Sequence, residues 1–136
     1  MNQGREMTNQ DLPDDPEVPP ELTPLREPTL FILLALSKER KHGYAILKDV
    51  EALSKGRVLL STGTLYGALS RLLQQGVIRK TADPNGKDGA GSSVNQPDSA
   101  DARERKYYEL SRFGQRVLRA EINRMNAILA VVGREL

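Results

Sequence analysis

Between residues 61 and 78 the chain reads STGTLYGALSRLLQQGVI, and the first turns of that stretch carry groups suited to gripping an anion. Ser61 is a good helix N-cap. It would open a helix whose first N–H groups have no partner inside it and whose end is partly positive, a natural seat for a phosphate oxygen. Rotated by about 100° per residue, Leu65, Ala68, Leu69, Leu72 and Leu73 form one apolar stripe. The opposite side holds Gly63, Gly67, Ser70 and Gln74, with Thr64 and Arg71 on one shoulder and Tyr66 on the other. Glycine costs about 1 kcal/mol relative to alanine in a helix interior. A face left bare at that cost lets the backbone approach a large surface closely. The Tyr66 hydroxyl and the Arg71 guanidinium can both bond phosphates, and an arginine can also read a guanine edge in a major groove. Ser61, Thr62, Gly63, Thr64, Tyr66, Gly67, Ser70 and Arg71 are therefore candidate nucleic-acid contacts. The plainer alternative is a solvent-facing side that tolerates its glycines, with Tyr66 lying over the domain's own core.

A second group of cations, Arg103, Arg105 and Lys106, stands where a strand begins and could reach phosphates across a neighbouring groove. Arg79 and Lys80 read the same way on an earlier strand. Tyr107 and Tyr108 are neighbours, so on a strand they point to opposite faces, one toward the core. His42 is the single histidine and has no carboxylate cluster beside it, which suits a helix start better than catalysis. No phosphate-loop, dinucleotide, zinc or nucleophile–base pattern is present. The sequence therefore argues against an enzyme and implies no cofactor and no metal.

Several elements must position these groups. Pro28 suits the first turn of a helix, and TLFILLALS is apolar nearly all round, as a buried helix would be. ERKHG reads as a polar link. YAILKDVEAL sets Ile46, Val50 and Leu53 on one face of a second helix, with Lys48, Asp49 and Glu51 away from it. SKGR ends it, and VLL could be a short extended piece. The third helix starts at Ser61 and stops at Gly76, a left-handed cap. VIRKTA and ERKYYEL read as strands, with the Gly, Ser, Asp and Pro rich segment 83–102 between them as a flexible wing loop. Ser111 caps a last helix in which Leu118, Ile122, Met125, Leu129 and Val132 follow 4-3-4-3 spacing, the seam of a coiled coil. The expected fold class is mainly α with a small β-hairpin, a winged helix-turn-helix plus a C-terminal dimerisation helix. The expected divisions are a disordered tail over 1–22, a winged-helix domain over 23–110 and a dimerisation helix over 111–136. A dimer would supply the symmetry that a palindromic site demands.

Charge separates the tail from the rest. Residues 1–22 carry six carboxylates against one arginine, a net −5, so with +2 for all 136 residues the remainder carries +7. A basic body suits an anionic partner. There is no cysteine, hence no disulfide framework or thiolate site. The longest apolar run, LFILLAL, falls far short of the roughly 18 residues of a membrane span, and the acidic N-terminus does not read as a secretory signal. The expected setting is a cytoplasmic protein with no membrane contact.

Three blocks, HGYAILKDVEAL, STGTLYGALSRLLQQGVIRK and RERKYYELSRFGQRVLRAEINRM, together resemble the PadR family of bacterial transcriptional regulators. HGY and GTLY-x-x-L-x-R-L are the telling pieces, and the resemblance covers residues 24–134 apart from 83–102. It implies a winged-helix repressor that binds a pseudo-palindromic operator in double-stranded DNA as a homodimer. The helix over 61–75 would be its recognition helix, Tyr66 a characteristic residue of it, 78–110 the wing and the last helix the dimer contact. Some members respond to small aromatic effectors. This chain departs from the pattern in its acidic tail, its long wing loop and its single C-terminal helix, which leaves no separate effector domain. The competing reading is a winged-helix adaptor whose third helix meets a protein instead of DNA.

Overall fold

A computed structural model describes residues 18–82 and 106–136. Four helices and three short strands follow a 3₁₀ turn at Pro20–Leu22. They are α1 (Glu27–Leu36), β1 (Lys41–His42), α2 (Gly43–Leu53), α3 (Thr62–Gln74), β2 (Ile78–Thr81), β3 (Tyr107–Leu110) and α4 (Arg112–Glu135). The sheet is antiparallel with order β1-β3-β2. It is mainly helical with a small sheet, as the residue pattern predicts, but the sheet has three strands. ERKHG contains β1, which pairs Lys41 with Tyr108 and His42 with Tyr107. Two polar residues carry no alternation to announce a strand; β3 supplies the missing edge.

Each helix begins for a local reason. Glu27 and Pro28 open α1, where a proline's missing N–H is harmless. His42 caps α2, its Nδ1 accepting from the Ala45 N–H at 3.3 Å. Ser61 caps α3 and Ser111 caps α4. Gly76 follows α3 at φ 77°, in the left-handed region that a side chain disfavours.

The core gathers Ile32, Leu33, Ala35 and Leu36 of α1, Ile46 and Val50 of α2, and the α3 stripe of Leu65, Ala68, Leu69 and Leu72. Val77, Ile78, Tyr108, Leu110, Val117 and Leu118 close it from the sheet and α4. Leu53, expected on the inner face of α2, is instead exposed in the helix's last turn, and Val58 enters the core from the link that follows. VLL forms no strand. The buried Ser54 holds that link, its Oγ accepting from the Val58 N–H at 2.9 Å.

Two junctions fix the sheet against the helices. Ser111 Oγ accepts from the Gly114 N–H at 2.9 Å and donates to the Gly76 carbonyl at 2.5 Å. Gly114 lies directly on the Val77 carbonyl, where a Cβ would overlap backbone. Residues 18–22, expected to belong to a structureless tail, form an extended piece and the 3₁₀ turn, with Val18, Leu22 and Leu25 packed on the core. These three apolar side chains, spread among prolines and carboxylates, are too sparse for a periodic signal. Leu22 and Leu25 lie beside residues of α1, α3 and α4.

Candidate nucleic-acid interface

The apolar stripe of α3 turns Leu65, Ala68, Leu69 and Leu72 inward, and that alone sends Gly63, Gly67, Ser70 and Arg71 outward. All four are exposed, and nothing lies within 4 Å of where a Cβ would stand on Gly63 or Gly67. The outer face is bare backbone for two turns, as the rotation of the sequence predicts. At its head the Ser61 hydroxyl already takes one of the amides, accepting from the Thr64 N–H at 3.1 Å, and sits 2.9 Å from the Thr64 hydroxyl. The Thr62 and Gly63 N–H groups remain to point out of the helix start, together with the exposed Ser61, Thr62 and Thr64 side chains.

Tyr66 takes a more constrained place than a free shoulder. It is half-buried, packs on the core and lays its hydroxyl over Gly43, where a Cβ would overlap the ring's outer end. The glycine of HGY is thus the floor on which the tyrosine of GTLY sits, and the pair joins the start of α2 to the first turns of α3. Tyr108 lies on the core side of β3; burial, helped by the nearby Tyr66, pushes its phenol above the ordinary tyrosine value, so it stays neutral. Tyr107 is half-buried on the opposite side, with its ring edge-on to His42 at 5.4 Å.

The remaining cations divide. Arg71 is exposed on α3 and also borders a cavity of about 310 Å³ together with Glu21, Arg26 and Gln75. Lys80 and Lys106 are exposed at the base of the wing. Arg79 is held by Glu109 across the strand pair at 2.7 Å, with Arg40 on the same carboxylate at 3.9 Å. Arg103 and Arg105 lie outside the described residues. One exposed pair escaped the sequence reading: Tyr44, next to Gly43, has the Lys48 ammonium 5.8 Å from its ring centre. The i, i+4 spacing of an aromatic and a lysine was the signal for it.

The residues assigned to the dimer seam also divide. Leu118 is 7 % exposed and belongs to the core of its own chain. Ile122, Leu129 and Val132 are exposed, Leu129 by 63 %, and Met125 is half-buried. Ile128 and Val131, which the 4-3-4-3 spacing passes over, are exposed beside them. A helix end this apolar and this bare is unusual for a lone soluble chain.

Three helices, a small sheet with a wing and an outward third helix define a winged-helix protein. Residues 32–92, a little under half of the chain, match the model of the Transcriptional regulator PadR-like family. The members of that family are transcription regulators rather than enzymes. The fold is similar to that of a PadR family transcription regulator from Clostridium difficile, at 23 % identity and TM-score 0.57 over 80 % of this chain and 97 % of that one. It is similar to a PadR-like transcriptional regulator from Bacillus cereus at 21 % identity and TM-score 0.55, over 78 % and 87 % of the two chains. A PadR family transcriptional regulator from Eggerthella lenta shares 25 % identity at TM-score 0.52, over 79 % and 82 %. No curated protein matches the chain. Among the described residues, no helix is long and apolar enough to cross a membrane.

Proposed function

We propose that the chain is a cytoplasmic repressor that binds a pseudo-palindromic operator as a homodimer, with α3 in the major groove. One observation carries the reading: the outward face of α3 keeps Gly63 and Gly67 in open space, where alanine would fit and would favour the helix. Neither glycine is explained by packing inside the chain, so the reason for them lies outside it. The Thr62 and Gly63 amides meet a phosphate at the head of the helix. Ser70 and Arg71 meet base edges or the far strand, and Lys80, Arg103, Arg105 and Lys106 meet phosphates flanking the site. The exposed apolar end of α4, from Ile122 to Val132, joins the two copies.

The test is a titration of the full chain against the region upstream of its own gene at several salt concentrations. The expected result is a complex whose affinity falls steeply with salt, since each neutralised phosphate releases counterions. Arg71→Ala is expected to weaken it about tenfold or more, the loss of one bidentate base contact. A chain that is monomeric, or that forms no salt-sensitive complex, would leave the face of α3 to a protein partner and overturn this reading.

A further inference from the structure

Glu121 is 1 % exposed, the only buried carboxylate among the described residues, and no described part of the reading face uses it. Arg124, one turn further along α4, grips it with two nitrogens, Nε to Oε1 at 2.9 Å and Nη2 to Oε2 at 2.7 Å. From outside α4, the backbone N–H of Leu25 faces the same carboxylate and helps to keep it charged. That amide belongs to the segment that runs from Val18 across the core into α1. The three groups form a closed polar lock between the N-terminal arm and the C-terminal helix.

Its position along α4 matters. Before Glu121 the helix is fastened to the winged-helix unit by the Ser111 cap, the Gly114 contact with Val77, and buried Val117 and Leu118. After it no residue of α4 is buried. Glu121 stands where the helix leaves the unit. The 14 residues from 122 to 135 extend about 21 Å at 1.5 Å per residue. A tilt of about 10° at the base would carry the tip through some 3 to 4 Å, close to one base-pair step of about 3.4 Å. If two chains pair through that free half, its angle sets how far apart their α3 helices stand.

We propose that Glu121 is a positioning residue: its lock on Leu25 and Arg124 fixes the angle at which α4 leaves the winged-helix unit, and so the half-site spacing that the dimer accepts. The spacing part rests on the function proposed above; the angle does not. Burial of a carboxylate is a poor device for mere cohesion, because an apolar side chain of similar size does as well or better. It is a better device for holding one orientation, because drawing a buried charge away from the groups that face it is costly. The pairing with Arg124 outweighs burial and holds the carboxyl below the ordinary glutamate range, so the lock is charged at neutral pH.

The experiment compares the full chain with Glu121→Leu, which keeps the site filled and removes the lock. The chain has no cysteine, so spin labels at Glu51→Cys on α2 and Glu135→Cys at the end of α4 report the angle within one chain, diluted with unlabelled chain. The expected distance distribution is narrow for the parent and at least twice as wide for Glu121→Leu, with the melting temperature unchanged or higher. On duplexes whose half-sites are moved by one or two base pairs, the parent prefers one spacing about tenfold or more. The variant is expected to lose that preference while keeping its affinity for a single half-site. Unchanged width and unchanged spacing preference would overturn the proposal. If Glu121→Leu does not fold, Arg124→Ala is read the same way, with at least a threefold loss of preference expected and no loss overturning it. A parent that binds no duplex would sink the operator reading alone, because the label distances judge the lock without DNA.

Discussion

Gly43 and Gly114 sit on crowded ground, whereas Gly63 and Gly67 face open space. The first two are demanded by the chain itself: one seats the Tyr66 hydroxyl, the other lets α4 lie against the Val77 carbonyl. The second two have no internal reason. The same residue type thus stands in two different settings, one explained by packing and the other, on the function proposed above, by a partner. On that proposal, a glycine that would gain stability by acquiring a methyl group, and has none, marks a surface that works at close range.

Mutation of the four separates the cases. Gly114→Ala is expected to have the largest effect, about 3 kcal/mol or more of lost stability in a denaturant titration, because backbone on both sides must move. Gly43→Ala should cost less, about 1–2 kcal/mol, because the obstacle is the far end of a side chain that can swing. It should also weaken DNA binding by displacing Tyr66. Gly67→Ala should reverse the sign and raise stability by about 0.5–1 kcal/mol, with weaker DNA binding; a gain in both would erase the contrast. Smallest is a pH effect at Glu121. Its carboxyl titrates lower folded than unfolded, so its contribution is complete above the ordinary glutamate range and lost as pH falls through the folded value. Acid unfolding of Glu121→Leu should therefore begin at a lower pH than that of the parent.

The three main helices, their caps and the outward face of α3 were legible in the sequence because each rests on local periodicity and cap chemistry. Ser61, Ser111 and Gly76 stand where their residue types predict. What was not legible depends on long-range partners. Lys41 and His42 become a strand only because β3 is there to pair with. Val18, Leu22 and Leu25 find their places only because a core built from distant parts of the chain is there to pack on. Tyr66 looked equally fit for a phosphate or for packing, and only Gly43, 23 positions earlier, shows that packing holds its ring. Leu118 matched the seam by spacing but is claimed first by its own core, since a heptad count cannot tell where a helix leaves its domain. Glu121 gave no signal at all, because a glutamate inside an amphipathic helix reads as solvated until its neighbours are known.

The last rung of the wing ladder, Thr81 opposite Tyr107, closes the ribbon just before the chain departs into 82–106. Alignment of the two strands is settled below that rung, by Ile78 with Leu110 and Arg79 with Glu109. Closing a longer span adds entropy only logarithmically, about 0.6 kcal/mol per doubling of length. The span can therefore be shortened or exchanged for another without disturbing the scaffold beneath it, which makes the ribbon a socket that accepts inserts of different length.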